Sequence, residues 1–275
     1  MLPKRLKPRE VAGERGLTRP VTAALGALAL SGCTAASALS VSDTNAYSPG
    51  AKALKSRTTV SMLRAGAAAE RAGNMAVATK AYANASRGTG GAKARVALGR
   101  VLLKDNKPRK AQEAFETVLK SAPGTTGARI GLGQSQLALG SYDAALASFD
   151  AALGQKLSAA DRRRALLGGG ISLDGLGRHD EAQARYRSVL ETRPNDAAAL
   201  NNLGLSLAVS GERKEAITVL RRVAGGSDAS PRARQNLALA YALAGEEDSA
   251  RRVSMVDLSK DDTNANLRTI RSARR

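Results

Sequence analysis

One cysteine, Cys33, and one histidine, His179, are the residues of this 275-residue chain best suited to nucleophilic or metal chemistry. A lone thiol and a lone imidazole make neither a disulfide framework nor a zinc site built from these residues. His179 stands in the run Gly177-Arg178-His179-Asp180 and is expected to be a solvated turn residue. Asp143, Asp180, Glu181 and Glu215 fall just ahead of or inside the first turns of expected helices, where a carboxylate favours the positive end of the helix dipole. They form no acid–base pair. Gly168-Gly169-Gly170 has no strand before it and no Gly-Lys-Ser/Thr after it, so a phosphate cradle is not expected. No catalytic set, metal or cofactor is therefore predicted, and the chain is not read as an enzyme.

Cys33 has another chemistry open to it. Lys4, Arg5, Lys7, Arg9, Arg15 and Arg19 precede an uncharged stretch from Val21 to Gly32, and Leu30-Ser31-Gly32 sets small residues directly before the thiol. The stretch is too short for a spanning helix, which needs about 20 apolar residues, and has the size of a signal-peptide core. The sequence Leu30-Ser31-Gly32-Cys33 resembles the lipobox of bacterial lipoproteins. That resemblance implies cleavage after residue 32, acylation of Cys33, and a mature chain held on a membrane without crossing it. Each acyl chain would contribute about 0.8 kcal/mol per buried CH₂. Thr34 stands where Asp would signal retention at the inner membrane, so the resemblance favours the outer membrane and a periplasm-facing anchor. Residues 33–58 are rich in Ala, Ser and Thr and are expected to be a tether with a reach of roughly 25 to 30 Å.

The elements that would position anything else follow from a repeat. Ala78/Tyr82, Ala111/Phe115, Ala145/Phe149, Ala182/Tyr186 and Ala216/Leu220 place a bulky residue four positions after an alanine, with a weaker copy at Ala250/Ser254. Five residues before each alanine stands Gly73, Asn106, Gly140, Gly177, Gly211 or Gly245. These are residue types that tolerate the left-handed conformation closing a helix. Upstream, Leu98-Gly99, Leu132-Gly133 and Leu203-Gly204 hold equivalent places, with Ala65-Gly66, Gly169-Gly170 and Leu237-Ala238 as variants. Aromatics are only 3% of the chain, which favours stacked helices over a β-sandwich.

The pattern resembles the tetratricopeptide repeat, a helix-turn-helix unit of 34 residues, and implies an all-α solenoid of about six units over residues 59–264. Units are expected to start near Thr59, Ala92, Thr126, Arg163, Ala197 and Pro231, leaving a basic tail at 265–275. Each unit alone exposes an apolar face that stacking covers. The longer step to Ala182 predicts an extended loop around Gln155 to Ala160. The glycine run within the fourth unit predicts a soft joint, since an exposed interior glycine costs about 1 kcal/mol relative to alanine.

In this family the first helices of the units line a concave face. Carried over by position, the resemblance implies partner-facing residues Lys93, Val96, Arg100 and Leu103 in the second unit and Ile130, Gln134 and Leu137 in the third. It implies Arg164, Leu167, Ile171 and Asp174 in the fourth, Asn201, Leu205 and Ala208 in the fifth, and Arg232, Gln235, Leu239 and Ala242 in the sixth. An apolar groove edged by basic and amide groups suits an amphipathic helix or an extended peptide. The Lys and Asn pattern of the carboxylate-clamp members is missing: Val96 and Arg100 stand at those places in the second unit, and Asn201 and Leu205 in the fifth.

The net charge of +19 raises the question of nucleic acid. Removal of residues 1–32 takes away six basic and two acidic residues, leaving 37 against 22. Nucleic-acid readers add exposed aromatics for stacking, and here only Tyr47 lies off a repeat position. A protein partner is expected instead, and no nucleic acid. Met255-Val256-Asp257-Leu258-Ser259 and Asn266-Leu267, after a lipobox and six units, are similar to the tail of the tetratricopeptide lipoproteins of the tight-adherence (Flp) pilus assembly system. That resemblance implies an outer-membrane accessory that helps localise or assemble a secretin. Two other readings stay open: another cell-envelope lipoprotein scaffold, such as a pilotin of a different system or a maintenance factor, and a soluble regulator or nucleic-acid binder.

Overall fold

The computed structural model describes residues 49–88, 91–226 and 229–273. Cys33, the leader and residues 34–48 of the expected tether lie outside the described residues. Within them the chain is all helix, in six successive pairs. These are α1 (Pro49–Arg71) with α2 (Met75–Ala85), α3 (Gly91–Lys104) with α4 (Pro108–Ser121), and α5 (Thr126–Ala138) with α6 (Tyr142–Leu153). Then follow α7 (Ala159–Gly175) with α8 (His179–Thr192), α9 (Ala197–Ser210) with α10 (Arg213–Ala224), and α11 (Pro231–Ala244) with α12 (Glu247–Ser254). A last helix, α13 (Lys260–Ala273), packs on both α11 and α12 and takes the place of a seventh first helix. None of the described helices is long and apolar enough to cross a membrane.

Local chemistry sets the helix ends. All six predicted turn residues have positive φ, from 53° at Asn106 to 103° at Gly211. Asn74, Ser158, Asp196 and Ser230 cap helix starts by accepting from the backbone N–H of Val77, Asp161, Ala199 and Ala233. Pro108 and Pro231 stand at first helical positions, where their missing N–H costs nothing. Asp143, Asp180, Glu181 and Glu215 occupy first turns, as expected.

Each pair closes by setting the bulky residue of its second helix on a small residue of its first. A Cβ added at Gly66 would stand 2.6 Å from the Tyr82 ring, at Gly99 2.5 Å from Phe115, and at Gly170 2.5 Å from Tyr186. The sixth pair inverts the sizes: Ala238 replaces the glycine, and Ser254, 4% exposed, replaces the ring. Rings also reach the next unit, because Gly131 lies under Phe115 and Gly168 under Phe149. Gly168, Gly169 and Gly170 are therefore buried contact points rather than exposed helix interior, and the expected reason for a soft joint does not apply.

Three boundaries differ from expectation. Helix α1 begins at Pro49, inside the span assigned to the tether, because Ala- and Lys-rich sequence supports a helix without repeat signals. The basic tail at 265–275 is largely within α13, where Thr263 and Leu267, four residues apart, are buried. The extra residues of the fourth unit only partly lengthen the loop. Ser158 caps a helix of 17 residues, where α3, α5, α9 and α11 have 13 or 14.

Successive first helices pack side by side from α3 through α13, whereas no two successive second helices do so, and the first helices thus lie on the inside of the curve. The spacing is uneven. α1 and α3 stand further apart than any other such neighbours, and α7 with α9 is the loosest of those that pack.

Candidate functional site

Grooves open on the first-helix face where neighbouring helices are least tightly packed. The first, of about 660 Å³, lies between α1 and α3 and is floored by Val60, Leu63, Ala67, Val96 and Ala97. Arg64, Lys93 and Arg100 stand around it. The second, of about 690 Å³, has Leu167 and Ile171 of α7 on one side. Asn195, Asn201, Asn202, Arg222 and Arg232 surround the rest. A smaller cleft of about 330 Å³ between α11 and α13 takes in Gln235 and Leu239.

The sequence-predicted residues divide accordingly. Lys93, Val96 and Arg100 come together in the first groove; Leu167, Ile171, Asn201 and Arg232 in the second; Gln235 and Leu239 in the third. Ile130 requires a correction: expected on the partner-facing surface, it is 1% exposed, in a cluster with Phe149, Ala152 and Ala165. Leu157, from the longer step before α7, packs on that cluster and helps to close the face there. Ala208 and Ala242 are likewise buried, within the core of the later units. Gln134 and Leu205 are half-buried on α5 and α9 but line none of these three grooves. Arg164 is exposed yet also outside them, paired within its own helix with Asp161 at 2.5 Å. Asn201 is both floor and support: only 8% exposed, its Oδ1 accepts from Asn236 Nδ2 at 3.0 Å, tying α9 to α11.

Two polar joints hold the second groove in shape. Arg163 of α7 donates to both carboxylate oxygens of Asp196, the cap of α9, with Nη2 to Oδ1 at 2.9 Å. That guanidinium holds the Asp196 carboxyl below the usual carboxylate range against the opposing effect of burial. Asp174, at the far end of α7, accepts from Ser206 Oγ at 2.6 Å and from the Tyr186 hydroxyl at 2.8 Å. His179 Nδ1 lies 2.9 Å from the same carboxylate, so this histidine is a half-buried joint residue and not the solvated turn side chain expected. Burial, and next the charge of Asp174, push the Tyr186 phenol far above its ordinary value.

The second joint gathers His179, Tyr186 and Ser206 on Asp174 as hydrogen-bonded ties between helices. Ser206 Oγ donates directly to Asp174 Oδ1, and His179 reaches that same oxygen, so no imidazole stands between hydroxyl and carboxylate as it does in a nucleophile–base–orienter row. Among the described residues no group of three or more His, Cys, Asp or Glu side chains could hold a metal ion.

Sequence reasoning missed Val60, Leu63, Arg64 and Ala67. Their i, i+3, i+4, i+7 spacing is readable, but the family positions are carried over only from the second unit onward. Asn195 and Arg222 carry no such signal, since a loop and a second helix bring them to the groove, while Asn202 stands on α9 next to the carried-over position Asn201.

Comparison with known proteins agrees with this geometry. The tetratricopeptide repeat family profile matches residues 96–161 and 167–234. PilF of Pseudomonas aeruginosa superposes with a TM-score of 0.61 at 17% identity, covering 72% of this chain and 90% of that one. TTC0263, a thermophilic repeat protein of Thermus thermophilus, gives 0.54 at 22% identity over 65% of this chain and 98% of its own. MamA of Desulfovibrio magneticus RS-1 gives 0.53 at 18%, over 60% and 92%. At such identities the likeness is one of fold. An uncharacterized protein of Sinorhizobium fredii (strain NBRC 101917 / NGR234), y4yS, is 48% identical over 52 residues, 19% of this chain and 29% of that protein's length. Helix pairing, ring-on-glycine packing and a profile match over just under half of the chain converge on the fold: the described residues form a tetratricopeptide-repeat solenoid of paired helices.

Proposed function

We propose that the chain is a membrane-anchored scaffold that holds another polypeptide on its first-helix face, in the manner of TadD, the tetratricopeptide lipoprotein of the tight-adherence (Flp) pilus system. The observation that carries the reading is the pair of open, partly apolar grooves on that face, each edged by groups able to bond a peptide. The partner would be a secretin or another assembly component at the periplasmic side of the outer membrane. The anchor would be an acylated Cys33, whose support is the order of basic, apolar and small residues before it.

Anchor and partner are tested separately. Metabolic labelling with a palmitate analogue in the native host should mark the wild-type chain and not Cys33→Ser. A label that persists in the variant, or none in the wild type, overturns the anchor. A photo-crosslinking residue placed at Val96 or at Ile171 should join the chain to the secretin in envelope preparations. Absence of that product from both positions, with the secretin present, overturns the assigned partner.

A further inference from the structure

We infer that the groove between α1 and α3 is the seat for an acidic amphipathic helix, so that the partner's contact there is helical and negatively charged. The inference rests on the scaffold reading and assigns one groove and one ligand chemistry within it.

Three observations carry it. The walls repeat one spacing: Val60, Leu63, Arg64 and Ala67 on α1, and Lys93, Val96, Ala97 and Arg100 on α3, each set running i, i+3, i+4, i+7. Two such stripes, about 10 Å long at 1.5 Å per residue, flank a trough that matches the apolar stripe of a docking helix. Val60 is 45% exposed, so apolar surface is left open to a partner.

The groove contains no amide side chain, and its uncharged polar lining is Thr125 with Tyr82, whose hydroxyl is already given to Glu70. An extended peptide needs partners for its backbone N–H and C=O groups, whereas a helix satisfies its own. The groove between α7 and α9 has asparagines for that purpose and this one does not.

Charge selects the sign of the occupant. Arg64, Lys93 and Arg100 have no carboxylate within ion-pair distance among the described residues. Glu70, whose charge acts on Arg100's side of the groove, is already taken by Lys104 at 2.5 Å and by the Tyr82 hydroxyl at 3.1 Å. Two rival occupants fit poorly. Once residues 1–32 are removed, as the scaffold reading has it, residues 33–48 carry one charged side chain, Asp43, and a second copy brings 37 basic residues against 22 acidic ones. The tether offers one charge to three cations and the second copy is repelled by them, while a partner helix with several Glu or Asp beside its apolar stripe is attracted and oriented.

The probe is a synthetic helical peptide of about 18 residues, five turns, with leucines on one face and glutamates flanking them. A second peptide replaces every glutamate with lysine. Fluorescence anisotropy with the full chain should show saturable binding of the glutamate peptide, weakened by added salt and at least about tenfold tighter than the lysine peptide. Lys93→Glu with Arg100→Glu should weaken it by a further factor of about ten. Both side chains are on the groove's rim, and an unchanged circular dichroism spectrum verifies the fold. Val96→Asp should weaken both peptides alike, through the floor rather than the rim.

Equal binding of the two peptides, or no binding of either, overturns the inference. So does binding untouched by Lys93→Glu with Arg100→Glu but lost in Ile171→Asp, which would move the seat to α7 and α9. Secretin crosslinks that persist while the glutamate peptide fails sink this inference and leave the scaffold reading standing. Loss of the crosslinks in the wild type sinks that reading independently of the peptide result.

Discussion

The two halves of the solenoid are built on the same repeat but packed differently. From α7 to α13 a single apolar cluster runs without a break, from Leu173 through Leu203, Leu220 and Leu237 to Leu267. From α1 to α7 the core divides into three clusters, centred on Tyr82, Phe115 and Phe149. The cause is in the residues facing each ring. Glycine lies under the bulky residue within pairs of both halves, but across the unit boundary Gly131 meets Phe115 and Gly168 meets Phe149, so there each ring packs on the next unit's backbone. In the later units leucines of several helices meet one another and the contact is shared. Ion pairs are spread over both halves and do not follow that division. Lys104–Glu70 joins the first unit to the second, Arg185–Asp150 the third to the fourth, and Arg163–Asp196 with Arg187–Glu215 the fourth to the fifth. Among the described residues no ion pair joins the second unit to the third or the fifth to the sixth. A repeat array is stabilised by the sum of its nearest-neighbour terms, and at the joint between the second and third units Phe115 is the largest buried side chain, with Val118, Ala128 and Leu132 beside it.

The sharpest way to break this comparison is Phe115→Ala. The side chain is fully buried, and its loss should cost about 3–5 kcal/mol, because the glycines beside it offer no side chains to refill the cavity. Urea unfolding should then separate into two transitions, with α1 to α4 losing hydrogen-exchange protection first. Leu220→Ala, in the shared cluster, should cost about 2–5 kcal/mol but lower one cooperative transition. A single transition in both variants would show that the divided core still couples as one body.

The same contrast explains what was legible in the amino-acid order. The turn residues, the alanine-to-ring spacing and the small residues beneath the rings are local choices with single solutions, and each stands where it was expected. The grooves were legible only in part, because they depend on how far apart successive first helices settle. Ile130 and Val96 hold equivalent repeat positions, yet one is core and the other groove floor, because Leu157 and the fourth unit close over Ile130 while α1 and α3 stand apart. His179 read as solvated because its partner, Asp174, lies across a turn on another helix. Helix α13 was hidden by its composition, since Leu267 and Ile270 are its main apolar anchors and the rest is largely charged or polar.

A medium effect is expected at the joint between the fourth and fifth units. Asp196→Ala removes the cap of α9 and the partner of Arg163 together, for about 2 kcal/mol by thermal unfolding near neutral pH. The pH dependence has a definite sign. Asp196 is held below the usual carboxylate range in the folded chain, so its contribution is present above that range and disappears as pH falls through the depressed value. The difference between wild type and variant should therefore be constant around neutrality and shrink in acid. A difference that grew on acidification would show that the pair does not stabilise the joint.

The smallest effect distinguishes two tyrosines with the same bond. Tyr186 gives its hydroxyl hydrogen to Asp174 within the continuous core, and Tyr82 gives its own to Glu70 in the divided one. Glu70 keeps Lys104 when Tyr82→Phe removes the hydroxyl, so that variant should lose less than Tyr186→Phe, for which about 1 kcal/mol is expected. The position of the loss matters more than its size. Because Tyr186 belongs to the cluster shared by α7 to α13, its deletion should shift the main unfolding transition, whereas Tyr82→Phe should change exchange only in α1 to α3. The buried phenol adds a test in alkali: its raised pKa stabilises the fold below the ordinary tyrosine range, and that contribution is lost as pH rises toward the folded value. Tyr186→Phe should accordingly lack the steepest part of the alkaline loss of stability, and Tyr82→Phe should retain it.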